Sequence, residues 1–123
     1  MIGFITLGTN DLPRAAAFYD ALLPLLGARR SSESARYVGW SSAQGAPMLL
    51  AIVPHDGQRA TPGNGTMVAL QAQDRGLVDQ VHRKALELGA TDEGAAGPRN
   101  GRFYGGYFRD PDGNKLVVYC MQA

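Results

Sequence analysis

The stretch Tyr107-Phe108-Arg109-Asp110-Pro111-Asp112-Gly113-Asn114-Lys115-Leu116-Val117-Val118-Tyr119 decides how this chain folds. Two apolar runs flank Asp110-Pro111-Asp112-Gly113. Proline presets φ at the first central position of a type I turn, and glycine accepts the left-handed conformation that closes it. A type I turn with a glycine bulge makes a three-residue hairpin loop, which sets Asp110 opposite Asn114. Counting back from that pair, Arg109 faces Lys115 and Tyr107 faces Val117. Alternation then puts Tyr107, Arg109, Lys115, Val117 and Tyr119 on one face of the hairpin. Phe108, Leu116, Val118 and Cys120 take the other, which is the expected core face.

Upstream of the hairpin, Gly94 to Gly101 reads as a glycine-rich loop, preceded by a strand around Ala90 to Glu93. Asp74 can cap a helix whose apolar stripe is Leu77, Val78, Val81, Leu86 and Leu88, ended by Gly89. Thr66 to Ala72 is a strand, and Pro54 to Gly65, dense in glycine and proline, is a linker. Ala35 to Ser41 and Met48 to Val53 read as strands joined by a Ser-Ala-Gln-Gly turn. Leu12, Ala15, Ala16, Tyr19, Leu22, Leu23 and Leu26 recur at helical spacing behind a cap at Asn10 or Asp11. Pro13 is tolerated in the first turn of that helix, Pro24 should shorten or kink its end, and Gly27 offers a stop. Ile2 to Gly8 is a strand by length and composition.

That order repeats. Setting Asp11 on Asp74 aligns Ile5-Thr6-Leu7 with Val68-Ala69-Leu70, with a capped helix following each at the same distance. The chain therefore reads as an α+β fold of two βαβββ modules in one domain spanning 1–123. Module 1 covers about 1–54, a linker 55–65, and module 2 about 66–123. An ordinary α+β sandwich with coincidental symmetry is the alternative.

The apolar fraction of 45% and charged fraction of 19% suit a globular chain and exclude a disordered tail protein. A net charge of +1, with no basic run, gives no electrostatic case for nucleic acid or an anionic membrane. Cys120 is alone and cannot pair internally, which points to a reducing, cytoplasmic compartment. Met1 to Gly8 lacks the basic start and cleavage pattern of a signal peptide, and no run approaches membrane-spanning length. There is no nucleophile elbow, phosphate-binding loop or zinc-type cysteine spacing, and no cofactor is expected. His82, among Gln80, Arg83 and Lys84, reads as a solvated helix-surface residue. His55 reads as an exposed loop residue beside Asp56. Gly105-Gly106 signals no more than close backbone approach or a bend.

The pairing of an N-terminal T-L-G-T-N-D-L-P-R-A-A-A-F-Y with a C-terminal Y-F-R-D-P-D-G-N-K-L resembles the vicinal oxygen chelate superfamily. That group holds glyoxalase I, extradiol dioxygenases, fosfomycin-resistance enzymes and bleomycin-resistance proteins. The resemblance covers nearly the whole chain. It implies paired modules with curved mixed sheets around a shared cavity, usually completed in a homodimer. In metal-using members, ligands come from the first strand of each module and from the strand after the last turn. Those positions fall here on Phe4, Met67 and Val117. Phenylalanine and valine offer no donor and methionine is a soft, weak ligand, so no metal is expected at the usual site.

If Phe4, Met67 and Val117 face inward, alternation turns Thr6, Gln71, Tyr107 and Tyr119 the same way, with Arg109 at the rim. Trp40 and Phe103 are candidate walls. Such a lining suits a small apolar or aromatic ligand held without metal, and Arg109 with Lys115 can meet an anion. The competing readings are an enzyme using the tyrosines or Arg109, a non-catalytic dimer whose old site is filled, and a metal-dependent lyase or dioxygenase.

Overall fold

The computed structural model of the protein describes residues 1–121, so the last two positions of the expected second module lie outside the described residues. It holds two four-stranded mixed sheets and two helices. β1 (Phe4–Gly8) leads into α1 (Leu12–Leu22), then β2 (Arg29–Glu33), β3 (Tyr37–Ser41) and β4 (Met48–Ile52). β5 (Val68–Gln71) leads into α2 (Arg75–Glu87), then β6 (Thr91–Pro98), β7 (Phe103–Arg109) and β8 (Lys115–Met121). The strand orders are β1-β4-β3-β2 and β5-β8-β7-β6. In each sheet the first strand runs parallel to the last, and the other neighbours are antiparallel. This is the βαβββ pattern twice.

Local chemistry sets the element ends. The Asp11 carboxylate accepts from Arg14 N, and the Asp74 carboxylate from Leu77 N, so each helix begins at an acidic cap. Pro24 cannot continue α1, and the chain tightens into a 3₁₀ turn over Leu23–Leu26 that stops at left-handed Gly27. The hairpin turn has the expected form. Asp110 N donates to Asn114 O, Gly113 N donates to Asp110 O (both 2.9 Å), and Gly113 has φ 90°.

Two strands depart from the sequence reading. Arg29–Glu33, a polar Arg-Arg-Ser-Ser-Glu run, had no strand expected and forms β2. Gly94 to Pro98, expected as loop, instead extends β6, which is bulged between Asp92 and Gly94 and again between Gly94 and Gly97. Both are edge strands, where one neighbour supplies the hydrogen bonds and little side-chain burial is needed.

One hydrophobic core joins the helix-facing sides of both sheets. Phe18, Tyr19, Leu22, Trp40, Leu49, Val78, Val81, Phe108, Leu116, Val118 and Cys120 are all buried there. The faces away from the helices are left open.

Candidate functional site

Residues paired across a ladder project to the same side. Phe4 pairs with Met48 and Thr6 with Leu50 on the open face of the first sheet. On the second, Ala69 pairs with Val117, Gln71 with Tyr119, Tyr107 with Val117, and Arg109 with Lys115. The second face carries more chemistry.

Phe103 and Tyr119 stack there with centroids 5.1 Å apart and planes within 1°. Gly105 makes this possible. A Cβ at that position would stand 2.7 Å from Phe103 Cε1 and 3.2 Å from Val117 Cγ2. Val117 is fully buried. The Tyr107 ring receives two cations, with Arg99 Cζ 5.4 Å and Lys115 Nζ 5.5 Å from its centroid. Arg109 donates from Nε to Glu93 Oε1 (2.6 Å) and from Nη1 to Gly113 O (3.0 Å).

At one end of this face lies a cleft of about 540 Å³, walled by Arg109, Lys115, Met67 and the 62–66 segment. The segment is anchored rather than loose. Asn10 Nδ2 donates to Ala60 O (3.0 Å) and Asn10 Oδ1 accepts from Ala60 N (2.7 Å). Ala60 is buried against Gly8, where any Cβ would come within 2.9 Å of it. Pro62 lies beside Gly113 of the hairpin turn.

The structure brings Met67 and Arg109 together at the cleft and Phe103, Tyr107, Val117 and Tyr119 on the adjoining sheet face. Gln71 lies on the same face, exposed. Phe4 and Thr6 lie exposed on the other sheet and do not line the cleft. Trp40 lies away from this cleft and lines, with Gln71, a separate cavity of about 240 Å³. It is buried in the shared core, its ring 5.3 Å from that of Tyr19, and Nε1 donates to Asp20 Oδ1 (2.8 Å). Its ladder partner Leu49 is likewise a core residue, so strand parity turns Trp40 toward the helices.

His82 also differs from its expected surface setting, with only 6% of its area exposed. It follows Val81 on the buried stripe of α2 and packs on the bare backbone of Gly106. Nε2 lies 3.2 Å from Asp92 Oδ1 and 3.1 Å from Tyr107 O. The Asp92 carboxyl is held below its ordinary range, first by the Gly94 N–H (2.9 Å), which outweighs desolvation, with His82 adding to the lowering. The sequence signal for His82 was the paired glycine opposite it. Nothing local in the sequence marks the linker residue Asn64 as a cleft wall or Arg99 as a partner of the Tyr107 ring.

The positions that the family resemblance assigns to metal ligands hold a phenyl ring, a thioether and a buried isopropyl group. That donor set does not fit a divalent ion. Among the described residues, no three His, Cys, Asp or Glu side chains gather into a group that could hold one.

A family model described as a glyoxalase-like domain matches residues 4–119. The chain belongs to that family. A glyoxalase/bleomycin resistance protein from Albidiferax ferrireducens is 34% identical, with 98% of each chain covered and a TM-score of 0.88. Two further crystal structures share the fold. A glyoxalase/bleomycin resistance protein/dioxygenase family enzyme from Burkholderia phytofirmans is 18% identical over 97% of each chain, with a TM-score of 0.79. A lactoylglutathione lyase from Agrobacterium tumefaciens is 24% identical over 98% of this chain and 92% of its own, with a TM-score of 0.70. A search of curated proteins gives no match. Among the described residues of this glyoxalase-like domain, no helix is long and apolar enough to cross a membrane.

Proposed function

We propose that this glyoxalase-like domain binds a small apolar or aromatic ligand without a metal, on the open face of its second sheet. The supporting observation is the joining of an apolar, aromatic surface (Met67, Tyr107, and the stacked pair Phe103 and Tyr119) to a walled cleft. Binding sites for small molecules combine apolar walls with a few placed polar groups. A cytoplasmic homodimer is part of the same reading. Ile2, Phe4 and Met67 are 56%, 59% and 44% exposed, and a second copy would remove such apolar area from water.

A second reading has its own support. Val117 is fully buried and the two flat-stacked rings occupy space a ligand would need. The face would then be a filled, non-catalytic remnant.

Amide chemical shifts recorded during titration with a panel of small aromatic compounds test the first reading. Changes should concentrate at Met67, Tyr107, Val117 and Tyr119. A panel that leaves those amides unmoved removes the binding reading and favours the filled one.

A further inference from the structure

Arg109 and Lys115 are direct partners across the β7–β8 ladder, so two positive side chains leave the sheet side by side at the cleft. Like charges placed so are destabilising unless something lies between them. Arg109 is partly answered by Glu93 and Gly113 O. Lys115 has no carboxylate partner among the described residues and instead lies against the Tyr107 ring, which Arg99 also approaches. Two cations thus face the Tyr107 ring, Arg109 lies one ladder step further along β7, and among the described residues Glu93 is the carboxylate bonded to this group.

The opposite wall supplies further donors. The 63–66 turn closes with Thr66 N donating to Gly63 O (3.1 Å). The amides of Asn64 and Gly65, both lining the cleft, have no acceptor among the described residues. Two cations side by side at one cleft supply the charge-assisted donors that an oxyanion needs. One strand step away, about 7 Å along β7 and β8, come Tyr107 and Val117, with Met67 at the cleft itself.

We infer that the ligand class is a small monocarboxylate with an apolar or aromatic body. Its carboxylate lies between Arg109 and Lys115, and its body lies over Met67 and Tyr107. This rests on the ligand-binding reading above and adds the charge and length of the ligand.

Calorimetric titration at low salt with phenylacetate, its neutral isostere phenylacetamide, and inorganic phosphate tests it. Phenylacetate should bind the wild type about ten- to a hundredfold more tightly than the amide, as a charge-assisted contact requires. It should also exceed phosphate, which lacks the apolar body. Lys115→Gln should lose a similar factor for phenylacetate, while Arg36→Gln, which removes a charge in the bend between β2 and β3, should change nothing. Equal affinity for acid and amide overturns the carboxylate inference and leaves the apolar-ligand reading standing. Phosphate binding as tightly as phenylacetate, or Lys115→Gln binding phenylacetate unchanged, also overturns it. Absence of binding by both phenylacetate and phenylacetamide overturns both readings together. The acid–amide comparison uses only the wild type, so it stands even if the Lys115 variant folds poorly.

Discussion

Tyr19 Oη, on the first helix, donates a 2.6 Å hydrogen bond to Asp110 Oδ2, at the head of the hairpin turn 91 residues away. Asp110 Oδ1 accepts from Asp112 N and Asn114 N (2.9 Å each), and Oδ2 also accepts from Asn114 Nδ2 (3.0 Å). Asn114 Nδ2 continues to Gly8 O (2.9 Å), while Asp112 Oδ1 accepts from Asn10 N and Arg14. The turn that organises the second sheet is thereby bonded to the strand end and helix start of the first module.

Tyr19→Phe removes one bond and leaves Asp110 three others, so it should cost about 1–2 kcal/mol. Asp110→Ala strips acceptors from buried donors on Tyr19 and Asn114 and should cost more. Urea denaturation of both variants measures the order, and an Asp110→Ala protein as stable as wild type would show the network idle.

The same pair governs stability at high pH. Burial first, then the charge and hydrogen bond of Asp110, push the Tyr19 hydroxyl well above its ordinary range. Up to about pH 10 the hydroxyl is neutral in both folded and unfolded chains, and its contribution is intact. Above that, the unfolded chain releases a proton that the folded chain keeps, so stability falls as pH rises. Melting curves between pH 8 and 11 should therefore fall less steeply for Tyr19→Phe than for the wild type.

Trp40→Phe should destabilise by about 1–3 kcal/mol, through lost packing and the lost bond to Asp20. It should leave phenylacetate affinity unchanged, because Trp40 faces the helices. Affinity that falls together with stability would return Trp40 to the site.

Val117→Glu should cost about 3–5 kcal/mol, since it buries a carboxylate with no partner. Phe4→His and Met67→His, at exposed positions, should stay within about 1 kcal/mol of wild type. Thermal melts of the three variants compare them directly. A neutral Val117→Glu would mean that the second sheet's face is open at its centre.

Gly106→Ala places a Cβ 2.8 Å from His82 Cδ2 and so pushes α2 from the sheet, with an expected cost of about 1–3 kcal/mol. Adding His82→Ala should recover part of that loss in the double variant. Full additivity would show that the ring and the glycine do not meet.

Much of the fold is legible in the chain because it is local. Asp110 opposite Asn114 follows from turn chemistry, the caps at Asp11 and Asp74 from side chains that answer free helix amides, and the shortened first helix from Pro24. β2 and the latter part of β6 were not legible. Arg29–Glu33 and Gly94–Pro98 hold few strand-forming side chains and pair only because β3 and β7 present an edge to them.

The candidate site divides in the same way. Sequence alone determined that Phe4, Met67 and Val117 cannot supply a metal's donors, since that depends only on which atoms those side chains carry. It also determined the Arg109–Lys115 pairing, because a short turn counts residues. Tertiary structure alone decided that Trp40 and His82 are buried, and that a linker held at Ala60 walls the cleft beside Lys115. Burial and enclosure depend on which distant segments pack together, and no local pattern in the chain encodes those encounters.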